Sequence, residues 1–400
     1  KTGELLKTEL KKNGMNALFH SADLTKEQRE KLEVSFKDKG PNGLQYLIAT
    51  STIAWGCHAE DSLISMADGS LKKIQNIEIG DSVFSYNGIN FTKEEVLHFE
   101  LNKKDKTFYK IELESGQKTI VTSGHEFYSA VNRDNIQYNL VENIKKGDMI
   151  AVPSRFNQNS NIVSDDFGYL CGYIIGDGCI TKNGNYADGK DKLLLDISFG
   201  NHESSHIDYV NNLIQGYCNL STRIKVKQNK KDNVFHITTK KRSVVDNFKH
   251  LFKHGRKNGT MSLLHLDISN MSYLKGLIQG LFDSDGGFSS HSNGNTSIEF
   301  TNISYKLVKE LHQLLFNFGV KSSIGKKKMK PSVINGRFQK VVRKYIYRIR
   351  IYGNDVLNYI NNVSFRHSCK FEKSQQIKQL MSCKEIKEKD FIPLRKLIDF

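Results

Sequence analysis

Nowhere in the 400 residues does an apolar run approach the roughly 20 needed to cross a bilayer. The opening stretch, Lys1 to Leu10, is polar and helical in character, which argues against a secretory signal. The six cysteines, at 57, 171, 179, 218, 369 and 383, include no C-x-x-C pair. That argues against a disulfide framework and against a structural zinc site. The compartment read from these absences is reducing and intracellular, with no membrane partner. Hydrophobic residues make up 38% and charged residues 26%, the composition of a folded chain rather than a disordered one. The length exceeds one ordinary core and predicts roughly two to four domains.

Acidic charge is scarce in only one part of the chain. Residues 1–56 carry a net +2, residues 57–152 a net −4 and residues 153–400 a net +18, which together give +16. A general bias toward lysine would touch all three segments alike. A basic excess confined to one segment attracts a polyanion, most often nucleic acid.

In the first 56 residues, Leu24 to Phe36 reads as a helix capped by Asp23 or Thr25. Gly40-Pro41-Asn42-Gly43 breaks it, and Leu44 to Ala49 reads as a short buried strand. These pieces cannot bury a core alone. His20-Ser21-Ala22-Asp23-Leu24, the helix, the strand and Ala49-Thr50-Ser51-Thr52-Ile53-Ala54-Trp55-Gly56 resemble the second motor domain of superfamily-two nucleic-acid helicases. In that family the last stretch lies near the ATP and nucleic-acid sites. The Walker-type phosphate loop is absent from this segment, so these residues are not expected to hydrolyse ATP by themselves.

Residues 57–152 show turn signals every 8–12 residues: Asp68-Gly69, Gly80-Asp81, Asn87-Gly88, Ser115-Gly116 and Gly147-Asp148. Short alternating strands such as Lys110 to Glu114 lie between them, and the segment reads as all-β. Cys57-His58-Ala59-Glu60-Asp61-Ser62-Leu63-Ile64, then Asp68-Gly69 and Ile79-Gly80-Asp81, resemble the first splicing block of an intein. Thr122-x-x-His125 resembles the second block, and Gly147 to Pro153 the end of the N-terminal half. A lone cysteine is most often an inert buried thiol, but three blocks in order imply a nucleophile. Cys57 would attack the Gly56 carbonyl in an N-to-S acyl shift. His125 would protonate the leaving amide nitrogen. Thr122 would hydrogen-bond the scissile carbonyl or hold the amide strained, and Gly56 presents no Cβ to obstruct attack. The family ends its module with a His-Asn pair and a second nucleophile, which do not occur near Leu397-Ile398-Asp399-Phe400. The completing strands are therefore expected beyond residue 400. The polypeptide is expected not to splice as given, with thioester formation and thiol-induced release of 1–56 as the step open to it.

Aligned to itself at an offset of 108, the remainder repeats. Gly168, Gly172 and Gly176 fall on Gly276, Gly280 and Ser284, and Asp177-Gly178 falls on Asp285-Gly286. Small residues every fourth position line one helix face and allow a second helix to approach closely. Glycine costs about 1 kcal/mol in a helix interior, so the pattern needs such a reason. Each unit reads α-β-β-α-β-β-α and resembles the LAGLIDADG homing endonucleases, with Leu170 to Gly178 and Ile278 to Gly286 as signature helices. An inserted endonuclease of this kind is a known intein arrangement. The resemblance implies that Asp177 and Asp285 are catalytic and bind Mg2+, with one acid serving each DNA strand. It also implies a basic residue in each half, for which Lys370 and Lys257 are the candidates; splicing itself needs no cofactor. Arg223, Lys225 and Lys227 alternate, as do Arg348 and Arg350, so each set points to one face of a strand. Residues 321–350 hold eleven basic residues and no acid. Two such half-sheets would form a saddle for double-stranded DNA. The run Lys326-Lys327-Lys328 reads as a solvated loop.

The expected fold class is an α+β multidomain chain. A helicase fragment (1–56) precedes an all-β, Hint-type splicing module (57–153). A monomeric endonuclease with pseudo-twofold αββαββα symmetry follows (154–390), and 391–400 begins the return to the splicing module. Two alternatives stay open: the same fold with a decayed nuclease that binds DNA or RNA without cutting, and a helicase proper, which these residues alone cannot form.

Overall fold

A computed structural model describes residues 56–382 apart from 87–90, 98–106, 132–135, 154–161, 186–188, 190, 201–202, 230–233, 253–259, 269, 292–294, 330–331, 335–336 and 340–344, together with 391–399 and, before residue 56, residues 8, 12, 17–20, 31 and 46–49. Ahead of Gly56, strand β1 (Ala17–His20) pairs in parallel with β2 (Tyr46–Ala49). β2 is the expected strand; β1 carries no such signal, because four residues are too few to show a period of two. The helix expected at Leu24 to Phe36 lies outside the described residues except for Lys31, which is helical.

The segment after Gly56 is all-β. Strands β3 (Leu63–Ser65) and β4 (Leu71–Lys73) form one hairpin, and β5 (Ser82–Tyr86) and β6 (Phe91–Glu95) another. The first turn closes where Asp68 Oδ1 accepts the Ser70 N–H at 2.8 Å and Gly69 adopts φ +94°, a left-handed conformation that favours glycine. Then come β7 (Phe108–Leu113), β8 (Lys118–Thr122), β9 (Glu126–Ala130), β10 (Gln137–Leu140) and β11 (Met149–Ala151). Ile111, Leu113, Val121, Val141, Ile144 and Ile150 form their own small core.

The repeat follows. Helix α1 (Asp166–Asp177) runs straight into β12 (Gly178–Asn185), then β13 (Asp191–Phe199), α2 (Ser204–Tyr217), β14 (Val226–Asn229), β15 (Val234–Thr239) and α3 (Arg242–Phe248). The second copy runs α4 (Met271–Asp285), β16 (Gly286–Ser290), β17 (Thr296–Asn302), α5 (Tyr305–Leu314), β18 (Ser323–Lys328), a hairpin of β19 (Ser332–Ile334) and β20 (Arg337–Gln339), β21 (Tyr345–Ile351) and α6 (Asn354–Asn362). Helix α7 (Ser368–Ser382) leads to β22 (Phe391–Asp399). The two four-stranded antiparallel sheets have the same order, β12-β13-β15-β14 and β16-β17-β21-β18, so the halves are related by a pseudo-twofold.

Both long helices start at side-chain caps. Asp165 accepts the Gly168 N–H and Asn270 the Tyr273 N–H, satisfying donors that helix starts leave open. The helices then meet backbone to backbone. A Cβ on Gly168 or Gly172 would run into the carbonyls of Tyr273 and Leu277, and one on Gly276 or Gly280 into those of Asp165 and Tyr169. Tyr169, Tyr173, Leu277, Leu281 and Phe282 fill the surrounding core without solvent exposure.

Strand β22 inserts between β11 and β7, pairing Ile150 with Ile392 and Ile111 with Leu397, so the six-stranded sheet reads β10-β9-β11-β22-β7-β8. The pseudo-symmetric unit thus lies between two strands of one sheet. The β3–β4 hairpin also crosses over: Leu71 belongs to the core of the repeated unit. Asn317 Nδ2 donates to Gly69 O at 3.0 Å, and Gln313 Nε2 donates to Leu63 O and Ser65 Oγ, both at 3.1 Å.

Two local expectations change. Residues 222–225 are not strand, and β14 starts only at Val226, although Arg223, Lys225 and Lys227 are exposed around buried Ile224. Lys326-Lys327-Lys328 is not a loop but the end of β18, paired with Tyr345 to Tyr347. Among the described residues no helix is long and apolar enough to cross a membrane.

Two candidate active sites

The first site forms where Cys57 meets β8. Thr122 N–H donates to Cys57 O at 2.9 Å, and Ala59 N–H donates to Ile120 O at 2.9 Å, so residues 57–59 run along that strand. The strand ends at Thr122, and the chain turns through Ser123 and Gly124 to bring His125 back over the same peptide. Cys57 N–H donates to Thr122 Oγ1 at 2.7 Å, and His125 Nδ1 lies 2.8 Å from Gly56 O. That contact requires Nδ1 to carry the proton, since a carbonyl only accepts. The three sequence-predicted residues therefore converge on the Gly56–Cys57 peptide. His125 touches the carbonyl rather than the amide nitrogen it is expected to protonate, whereas Thr122 accepts the N–H of that amide, the group on which one of its two expected roles acts. The thiol of Cys57 is half-buried and in no disulfide. A Cβ on Gly56 would overlap the backbone of His125.

The second site forms where the helix pair ends. Asp177 and Asp285 line one cavity of about 330 Å³ with Gly176, Thr301 and Asn302. The carboxyl carbon of Asp285 is 3.7 Å from the position a Cβ on Gly176 would take, so the two acids are neighbours although 108 positions apart. Asn302 Nδ2 donates to Asp285 Oδ2 at 3.1 Å and fixes that carboxylate. Sequence reading missed Asn302. The repeat does not mark it: Gly286 faces Phe300 as Gly178 faces Ile197, so the counterpart of Asn302 in the first half is Phe199. Two carboxylates are hard oxygen donors, and a hard divalent ion suits them. No group of three or more His, Cys, Asp or Glu side chains disposed to hold a metal occurs among the described residues. A magnesium ion here would thus complete its shell with water and substrate oxygens.

Lys370 requires a correction. Its ammonium does not face the cavity but donates to the carbonyls of Phe282, Asp283 and Gly286. Three acceptors use all three of its hydrogens, and a cation at the last carbonyls of a helix offsets their partial charge. Lys370 caps α4 and so holds the backbone that carries Asp285. Its neighbour in this clamp is Asp283, which is fully buried and accepts from Tyr169 Oη and from the N–H groups of Arg366 and His367, each at 2.9 Å. Burial pushes the Asp283 carboxyl up from its ordinary range. Arg366 ties the halves together through Asp166 at 2.5 Å, Gln279 at 3.0 Å and Tyr209 at 3.1 Å. Lys257 lies outside the described residues.

The DNA-contact candidates divide. Arg348 and Arg350 do share one face of β21, but both are held by Glu299 of the adjacent β17, at 3.0 and 2.5 Å. They are therefore not free cations as the strand pattern implied. Arg223 pairs at 3.0 Å with Asp208, an exposed bridge of little strength. Lys225 and Lys227 are exposed.

A sheet closed by a strand on each side of a long insertion, with Cys, Thr and His on one peptide bond, is a self-processing architecture. A model of the intein splicing domain matches residues 64–394, and the chain belongs to that family. ATP-dependent DNA helicase Hel308 of Methanocaldococcus jannaschii is 27% identical over 385 residues, 94% of this chain and 30% of the relative. The ribonucleoside-diphosphate reductase NrdEB subunit alpha of Bacillus subtilis is 25% identical over 58% of this chain and 21% of its own length. Protein RecA of Mycobacterium bovis is 27% identical over 53% and 26%. The chain spans less than a third of each of these relatives. Among solved structures, the homing endonuclease I-DmoI in complex with DNA and Ca is similar at 16% identity and a TM-score of 0.37, covering 54% of this chain and 97% of that one.

Proposed function

We propose that this chain carries out the N-to-S acyl shift of protein splicing at Gly56–Cys57 and site-specific cleavage of double-stranded DNA. The supporting observation for the first is the convergence of His125 on the carbonyl and Thr122 on the amide of one peptide bond. The Cys57 thiol passes its proton to water, and its sulfur bonds to the Gly56 carbon. Charge gathers on the carbonyl oxygen, where the Nδ1–H of His125 stabilises it. As the carbon–nitrogen bond breaks, the same imidazole supplies the nitrogen with its Nδ1 proton and regains one from water. Thr122 holds the nitrogen in place. The product is a thioester linking residues 1–56 to Cys57 Sγ, with a free α-amino group on Cys57. Incubation with dithiothreitol should release residues 1–56, and Cys57→Ala should not. Survival of an intact wild-type chain removes the reading.

For DNA cleavage the support is the adjacency of Asp177 and Asp285 at the foot of the helix pair, between two matched sheets. Magnesium held by these acids would supply Lewis acidity toward a phosphodiester and its attacking water. The protein's own part is to fix the acids, through Asn302 and the Lys370 clamp, and to seat the duplex on exposed Lys225 and Lys227 and the lysines of β18. Plasmid linearisation in magnesium, lost in Asp177→Asn, is the test; equal nicking by that variant removes the metal assignment. In this reading the splicing module comprises 57–153 and 391–400, and the endonuclease comprises 154–390. Residues 1–56 belong to a host helicase, which the relative matched along nearly the whole chain supports.

A further inference from the structure

His58 follows the nucleophile, and no step above uses it. It forms an antiparallel bridge with Val121, which pins its backbone against β8. Its ring meets His125 edge-on, with centroids 4.6 Å apart and planes at 70°. Phe127 supports the same His125 ring at 4.9 Å and 59°. His58 Nδ1 lies 3.5 Å from Thr119 Oγ1, at the outer limit of a hydrogen bond. A histidine ring can turn about two bonds, yet His125 Nδ1 serves the reaction only while it faces Gly56 O. His58 and Phe127 are the aromatic walls that limit this rotation.

We propose that His58 is a positioning residue for the acyl shift, holding the imidazole of His125 against the scissile carbonyl through edge contact with its ring. The inference rests on the acyl-shift reading and deepens it. Burial, and after it the charge of His125, pushes His58 down to about 4. Near neutral pH the wall is uncharged and does not repel a proton on its neighbour. Below that range a cation appears 4.6 Å from the His125 ring. The other ionisable groups of the cleft that His58 lines are Glu60 and Asp61 on its own segment, Lys110 and Lys118 from β7 and β8, and Tyr305, Lys309 and His312 from α5.

The test uses the whole chain and dithiothreitol, with release of residues 1–56 followed by mass. His58→Ala is expected to slow release by about tenfold or more, the scale of a displaced catalytic group. His58→Phe restores a ring edge and should stay within about threefold of wild type at pH 7. The rate ratio of His58→Phe to wild type should rise as pH falls from about 5 to 4, since phenylalanine cannot take the repelling charge; the ratio cancels the thiol ionisation common to both. An unchanged rate in His58→Ala, a His58→Phe rate as low as that of His58→Ala, or a ratio flat with pH each overturns the proposal. His125→Ala separates the two levels: if it releases 1–56 as fast as wild type, the acyl-shift reading itself fails whatever His58 does.

Discussion

At the scale of single residues, the sharpest demand falls on Gly56. A Cβ there would overlap the His125 backbone, and the tip of a flexible side chain is not what stands in the way. Gly56→Ala must therefore move either the scissile peptide or His125, breaking the 2.8 Å contact between Nδ1 and the carbonyl. Displacement of about 1 Å costs a catalytic group up to about a hundredfold. Thiol-induced release should slow by at least tenfold on that scale, while the fold, read by thermal unfolding, stays intact. An alanine variant that releases at the wild-type rate would mean that the observed contact is not the working one. Lys370 shows why residue type alone misleads: a lysine near a pair of acids reads as catalytic, but its ammonium is spent on three carbonyls.

At the scale of elements, a glycine of α1 and one of α2 make two opposite predictions. Gly172→Ala sets a Cβ against the carbonyl of Leu277 and the backbone of Leu281. Overpacking of this kind costs about 1–3 kcal/mol, and the helices must separate, carrying Asp177 away from Asp285. DNA cleavage should fall further than the denaturation midpoint suggests. Gly216, in α2, meets nothing within 4 Å, and Gly216→Ala should stabilise by about 0.5–1 kcal/mol. Urea unfolding of the two variants checks both signs; equal effects would refute close packing as the reason for the glycines. The pairing of α1 with α4 was legible in the sequence because the small residues recur at the helical period in both copies. The acid pair followed from it, since both helices end at the same Asp-Gly step. The Glu299 partnership with Arg348 and Arg350 was not legible, because cross-strand neighbours depend on register. The grip of Arg366 and Lys370 on α4 was not legible either, because it joins positions more than 80 apart that share no pattern.

At the scale of the whole molecule, histidines buried as neutral rings couple stability to pH. His312, 2% exposed at the junction of the β3–β4 hairpin and the repeated unit, has Nδ1 on Ser322 Oγ at 2.7 Å, and burial pushes it down to about 4. Burial also pushes His206 down to about 3 and His58 to about 4. Each takes a proton near 6.5 once the chain unfolds. Over that window the unfolded state binds more protons, so stability falls as pH drops from about 6.5 toward 4. Glu310 works the other way. Burial raises it to about 7, so the native chain keeps its proton where the unfolded chain has lost it, and stability falls as pH rises from about 4.5 to 7. Three histidines against this one carboxyl leave a net loss on acidification between about 6.5 and 4.5, and buried Asp283 opposes it in the same sense as Glu310. His312 alone accounts for about 3 kcal/mol across its full window. His312→Gln keeps a group able to reach Ser322 but takes up no proton. Its unfolding free energy, read by urea titration, should therefore depend less steeply on pH, by about 1.4 kcal/mol per pH unit in the middle of the window. A variant whose slope matches wild type from pH 6.5 to 4.5 would show that His312 is protonated in the folded chain, and that the junction beside the hairpin admits water.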